Sequence, residues 1–200
     1  MSSLSKHAAA LLLTAITGLA MVPAHSAQPK ATGDLPGRKV SMLGGKFTFT
    51  LPKGFTVTAL PAGDAAQGTA GASGMMYSNA TTKTVVITAE NTILDGANVK
   101  DDDGAFLDAT MADFAAQRTK ALPDARILSE KSLTLKSTGL GLRQLDTSAT
   151  QGGGPTLDTT LLGASGTRMA VVQIISRASD KSGHEALVKQ IAGGQSSSGK

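Results

Sequence analysis

The chain has no cysteine and no tryptophan, and one tyrosine and five phenylalanines are its only large aromatic side chains. Without thiols it can form no disulfide, thiolate metal site, iron–sulfur cluster or cysteine nucleophile. So few aromatics offer little surface on which bases could stack. A formal charge of +4 over 200 residues is no electrostatic footprint for a nucleic acid. Histidine is scarce as well, with three in all, which starves any imidazole-based metal centre. No apolar run reaches the roughly 20 residues that span a bilayer. What remains is 40% hydrophobic and 17% charged, with 23 glycines that follow no collagen period. That composition belongs to a single globular domain.

Residues 1–27 read as a secretory signal peptide. Lys6 supplies the positive start, Ala8 to Val22 form an apolar run broken by Thr14, Thr17 and Gly18, and Pro23 ends it. Ala24-His25-Ser26-Ala27 then offers small residues to a signal peptidase. The expected cleavage lies between Ala27 and Gln28, or one bond earlier after Ser26, where Ala24 takes the minus-three place. Losing Lys6 with the leader lowers the charge by one. Arg38, Lys39, Lys46 and Lys53 make a basic stretch, read as solvated strand-edge cations that discourage edge pairing. Export without thiols fits a bacterial periplasm or secreted fluid.

Gln28 to Arg38 carry two prolines and two glycines without hydrophobic periodicity and read as a flexible linker, with order beginning near Lys39. Val40 and Met42, then Phe47, Phe49 and Leu51, alternate with polar residues on either side of Gly44-Gly45, as a hairpin would. Thr56 to Leu60 adds an extended piece, and Ala62 to Gly74 reads as a long surface loop. Met75 to Ser78 and Thr84 to Glu90 are expected strands. A helix follows from Asp103 to Leu122, with Leu107, Met111, Phe114 and Leu122 on one face and the aliphatic stem of Arg118 completing the stripe. Four strands come next: Ala125–Leu135, Leu140–Ala149, Thr156–Ala164 and Thr167–Arg177. Asp180 or Ser182 caps a last helix that puts His184, Leu187, Val188 and Ile191 on one face. Residues 195–200 read as a disordered tail. Val171, Val172, Ile174 and Ile175 place apolar groups on both faces of their strand, so it should be central and fully buried. The expected fold is α+β: one domain over 39–194, a mostly antiparallel sheet with helices on both faces.

No motif for catalysis survives inspection. Asp101-Asp102-Asp103-Gly104 lacks the alternation and the twelfth-place Glu of a calcium loop, and reads as an N-cap with acidic residues at a helix start. Gly71-Ala72-Ser73-Gly74 and Gly163-Ala164-Ser165-Gly166 bring the second glycine one place too early for a nucleophile elbow. His184, the one histidine expected after leader removal, lies on an apolar helix face, where a packed or rim imidazole is expected rather than a catalytic base. Gly152-Gly153-Gly154-Pro155 lacks the Lys-Ser/Thr of a phosphate loop and reads as a hairpin. Asn79-Ala80-Thr81 matches a glycosylation acceptor only by its three letters. Nothing in their spacing brings Glu90, Glu130 and Asp146 together as a carboxylate pair. Neither catalytic residues, nor a metal, nor a cofactor is expected.

Gly45-Lys46-Phe47-Thr48-Phe49-Thr50-Leu51-Pro52 resembles the opening strand of the DcrB family of bacterial envelope proteins. Tyr77-Ser78-Asn79-Ala80-Thr81 before a Val/Ile strand is similar to that family's next hairpin. The helix ending at Leu122-Pro123, then Gln144-Leu145-Asp146, then the last strand and helix follow in matching order across residues 39–192. The resemblance implies a PsbP-like α/β/α sandwich, a periplasmic location and a non-enzymatic envelope role in a family linked to bacteriophage entry. Many members are lipoproteins, but this chain has no cysteine to lipidate, so no stable membrane anchor is expected. The Ala/Gly-rich stretch at 62–74 departs from the family pattern.

The expected function is therefore a soluble periplasmic interaction module that binds another envelope protein, with no nucleic-acid partner. The alternative is a small-ligand or lipid carrier or sensor. N-terminal sequencing of protein released by osmotic shock should begin near Gln28. An intact Met1 in the membrane pellet would instead mean that the leader is retained as an anchor.

Overall fold

The structure is a computed structural model that describes residues 37–63, 71–93 and 96–193. The leader with its Ala27–Gln28 bond, nearly all of the 28–38 linker, residues 64–70 of the expected loop and the 195–200 tail lie outside the described residues. Arg38, assigned above to the linker, is already in a strand.

The hairpin at the start is built as the alternation demands. β1 (Arg38–Met42) and β2 (Phe47–Leu51) pair antiparallel, and Phe47, Phe49 and Leu51 are buried. A short 3-10 turn joins them through Leu43, Gly44 and Gly45, all with positive φ. The other strands are β3 (Thr56–Ala59), β4 (Ser73–Asn79), β5 (Thr84–Thr92), β6 (Arg126–Thr134), β7 (Gly141–Gln151), β8 (Gly154–Ser165) and β9 (Arg168–Arg177). They form one seven-stranded sheet, ordered β3-β4-β5-β9-β8-β7-β6, and every pairing in it is antiparallel. β4 starts at Ser73, so the expected 62–74 loop ends sooner than its composition implied. Ser73 and Gly74 hydrogen-bond in the ladder with Glu90 and Ala89, and that pairing outweighs their weak strand propensity.

Among the described residues, two α-helices complete the fold. α1 (Gly104–Ala121) is capped by Asp103, whose carboxylate accepts the Phe106 amide at 3.1 Å. α2 (Lys181–Ala192) is capped by Asp180, which accepts from Gly183 N–H at 3.1 Å. Gly152 and Gly153, with φ of 56° and 81°, are the two turn residues between β7 and β8. Two successive positive φ angles match the twist of a hairpin, and glycine meets them without strain.

Val171, Val172 and Ile174 are buried, as a central strand requires, and Gln173 between them is buried too. Ile175 is only half-buried. Its cross-strand neighbour is Asp158, which meets Arg118, and α1 ends within a turn of that residue, so the cover thins there. The core divides in two. Val172 and Ile174 pack with Leu187, Val188 and Ile191 of α2 and with Phe47, Phe49 and Leu51 of the hairpin. Val171 packs with Leu107, Met111, Phe114 and Ala115 of α1. Adjacent residues of an extended strand point to opposite faces, so β9 serves both clusters.

Ile174 is fully enclosed. Ile174→Asp should force an unpaired charge into the cluster and cost several kcal/mol of the roughly 5–15 kcal/mol that hold a domain together. Circular dichroism should show the variant unfolded at 25 °C; a native spectrum and melt would mean that this face is open to water.

Candidate functional site

A cleft of about 660 Å³ opens between β6, β7 and β8 on one side and α2 on the other. Leu128, Leu133, Leu157, Val188 and Ala192 line it, and Lys131, Lys181, Glu185 and Lys189 contribute charged groups. Leu128 takes part because β6 carries a bulge. Ile127 faces Thr147 and Ser129 faces Asp146, so Leu128 is the extra residue between them, and it is 56% exposed. Bulges of this kind re-aim a side chain at a sheet edge.

The floor of the cleft is polar and connected to itself. Asp146 accepts Ser129 Oγ at 2.6 Å, Thr159 Oγ1 at 2.7 Å, Gln144 Nε2 at 2.8 Å and Lys131 Nζ at 3.3 Å. Partial burial pushes its carboxyl up, but the bonds from Ser129, Thr159 and Gln144 and the Lys131 charge outweigh it, and the pKa falls below the ordinary value. Next in line, Thr159 Oγ1 lies 2.9 Å from His184 Nε2, and His184 Nδ1 lies 3.1 Å from Ser176 Oγ. Ser176 is 3.5 Å from Thr84 Oγ1. Thr159 has one proton and directs it at Asp146, so it accepts from His184 Nε2–H. His184 Nδ1 is then left to accept the Ser176 hydroxyl, which fixes the tautomer of a neutral ring. Desolvation holds the imidazole below its ordinary pKa, against the pull of Asp146, Glu185 and Asp180.

Serine, histidine and aspartate thus lie on one relay, and the relay is not a hydrolase triad. Ser176 and Thr159 are 2% and 1% exposed, so neither hydroxyl can reach a substrate. The carboxylate meets threonine rather than the imidazole. A nucleophile must be accessible and must touch its base, with the base oriented by the acid.

Among the carboxylates considered from the sequence, Glu90 pairs with Arg168 at 3.1 Å, Glu130 is exposed, and Asp146 alone belongs to the cleft. In the acidic run, Asp103 is the cap as expected. Asp101 instead binds Lys46 Nζ at 2.7 Å and accepts from Ser165 Oγ at 2.7 Å, tying the first hairpin to the end of β8. Those hydrogen bonds and the Lys46 charge keep its carboxyl low. Ser165 is therefore a clamp residue and Ser73 a strand residue, and neither is on a nucleophile turn.

Arg118 needs a correction. Its head group, not only its stem, is buried, and Nη2 meets Asp158 Oδ2 at 2.5 Å. Gln173 Nε2 adds a bond to the same oxygen at 2.7 Å. Burial pushes the Asp158 carboxyl up to about 6, with Arg118, Gln173 and Thr160 opposing. Asp158 sat in a strand without any local signal, and only the pairing of β8 with α1 reveals it.

No family model matches the chain, and no curated protein matches it. Among solved structures the chain is similar to cyanobacterial PsbP (CyanoP) from Synechocystis sp. PCC 6803, with 11% identity, coverage of 84% of this chain and 98% of that one, and a TM-score of 0.47. It is also similar to PA94, a protein of unknown function from Pseudomonas aeruginosa, with 12% identity, coverage of 77% and 92%, and a TM-score of 0.42.

A histidine kept neutral inside the fold but charged when unfolded contributes stability above about pH 6.5 and loses it as the pH falls below that value. Asp158, raised to about 6, works with the opposite sign between its unfolded and folded values. The two partly cancel in the native chain, so comparison with His184→Gln isolates the histidine. The variant should lose about 1–2 kcal/mol at pH 7.5 through its hydrogen bonds, and this deficit should shrink as the pH drops to 5. Urea denaturation across that range reads it, and parallel curves would show that His184 does not titrate in folding.

Proposed function

We propose that this chain is a non-enzymatic binding protein of the bacterial envelope, periplasmic once its leader is removed, and that it holds a small ligand in the cleft beside α2. The cleft itself supports this most: its volume falls within the range typical of ligand sites, with apolar walls and a few polar groups. The relay beneath it favours binding over catalysis, because its hydroxyls are buried and bonded to one another. The DcrB-like order of strands and helices, given above on its residues, supports the envelope assignment.

With this goes an α/β/α sandwich of the PsbP-like type, in which α1 covers one face of the sheet and α2 the other. The split of Val171 and Val172 between the cluster of α1 and that of α2 supports that arrangement.

A protein partner from the envelope is the alternative. Ile127 and Leu128, 50% and 56% exposed, stand side by side on β6, the edge strand, where an extended peptide could add to the sheet.

Native mass spectrometry of the protein isolated from its own periplasm should show a retained small molecule. Leu157→Trp, which fills the cleft, should remove it while the thermal melt stays within a few degrees. A wild-type mass equal to that of the bare chain would overturn the ligand proposal. A protein partner recovered reproducibly by periplasmic cross-linking, and lost with Leu128→Glu, would establish the alternative.

A further inference from the structure

The charges around the cleft are not equivalent. Lys131 is engaged by Asp146 at 3.3 Å, and Lys181 by Glu185 at 3.6 Å, one turn along α2. Lys189 borders the same cleft and has no ion-pair partner among the described residues. The apolar wall residues bring no side-chain donors. Asp146, Thr159 and His184 have their hydrogen bonds committed to one another and to Ser129, Gln144 and Ser176; the Thr147 hydroxyl, at the same cleft, is buried without a partner.

These facts select a ligand chemistry. A sugar or a nucleoside would bury many hydroxyl and amide groups against walls that offer few free partners for them, which is costly. A cationic amphiphile would bring a like charge to Lys189. An apolar body with one negative end meets neither objection. Its chain replaces water along the walls, gaining roughly fourfold in affinity per methylene buried, and its anion meets the free ammonium. Resting on the reading of the cleft as a ligand site, we propose that it takes a single amphipathic monoanion of the long-chain carboxylate class, with the head group at Lys189.

The full mature chain is titrated with dodecanoate, dodecanol and dodecyltrimethylammonium, each kept below its micelle-forming concentration. The protein has no tryptophan, so calorimetry and the carbon-13 signal of carboxyl-labelled dodecanoate serve as readouts. Dodecanoate should bind about tenfold more tightly than dodecanol. Lys189→Glu should erase that advantage, and Lys189→Arg should keep it. Lys189 is exposed, so neither change threatens the fold. Equal binding of dodecanoate and dodecanol, unmoved by Lys189→Glu, would overturn the head-group assignment and leave the cleft as an apolar site. Binding by none of the three would overturn this proposal, whereas a retained periplasmic ligand lost in Leu157→Trp would still uphold the cleft. Co-sedimentation with phosphatidylglycerol vesicles in the absence of monomer binding would assign Lys189 to a membrane surface and overturn it as well.

Discussion

A strand with apolar groups on both faces must be covered twice, and β9 imposes that constraint on the whole chain. Ala170, Val172 and Ile174 are lost to water on one side, and Met169 and Val171 on the other. Burying apolar surface gains roughly 25 cal/mol per Å², and β9 gains it on both faces. Its position follows. β9 takes the centre of the sheet, between β5 and β8, and the two apolar clusters grow outward from its alternate residues. α1, α2 and the β1–β2 hairpin are held by what they bury against it and its neighbours.

Burial that complete makes unpaired polar groups costly, and most of the buried ones are paired, though Arg118 Nε and Gln173 Oε1 are left without a partner. Asp158 and Thr159 are neighbours on β8 and both are buried. Asp158 takes Arg118 of α1, and Thr159 takes His184 of α2. Each helix is therefore fixed to the same strand by one polar link within an otherwise apolar contact. A buried ion pair of this kind adds little net stability, since desolvation offsets the attraction. Its effect is on registry: sliding α1 by one residue would leave both charges buried and unpaired. Gln173, one strand over, donates to the same carboxylate oxygen, so the central strand is part of that registry.

Much of the fold was legible because periodicity and turn chemistry agree along this chain. Phe47, Phe49 and Leu51 alternate as a strand should, and all three are buried. Leu107, Met111 and Phe114 share a helical face and are buried together. Asp103, Asp180 and the Gly152-Gly153 pair mark their boundaries through capping and φ preferences that act locally. The errors have a common origin in tertiary pairing. Ser73 and Gly74 look like loop residues until β5 pairs with them. Arg118 looked like a stem covering apolar neighbours until Asp158 arrived from 40 positions away. The cleft was the least visible element, because it is a gap between surfaces, and the bulge that aims Leu128 into it depends on the register of β6 against β7.

The position of the gap follows from where α2 is held. Residues from both ends of the helix, Lys181 to its C-cap Gly193, line the cleft, so α2 borders it along its whole length. Its buried residues, with the hairpin beside it, pack onto β5, β9 and β8 through Val86, Val172, Ile174 and Leu161. Gln190 reaches back to the Thr50 carbonyl at 2.7 Å and keeps the helix toward the hairpin. Cover thins across β7 and β6: Leu142 of β7 is still fully buried in this cluster and Leu133 of β6 packs against it, but the cover stops beyond them. There the sheet face turns polar, with Gln144, Asp146 and Ser129 in place of aliphatic residues, and β6 is exposed along most of its length. The polar floor beside α2, and a leucine aimed across the opening by a bulge, leave a concave surface with apolar walls between the helix and the last two strands of the sheet.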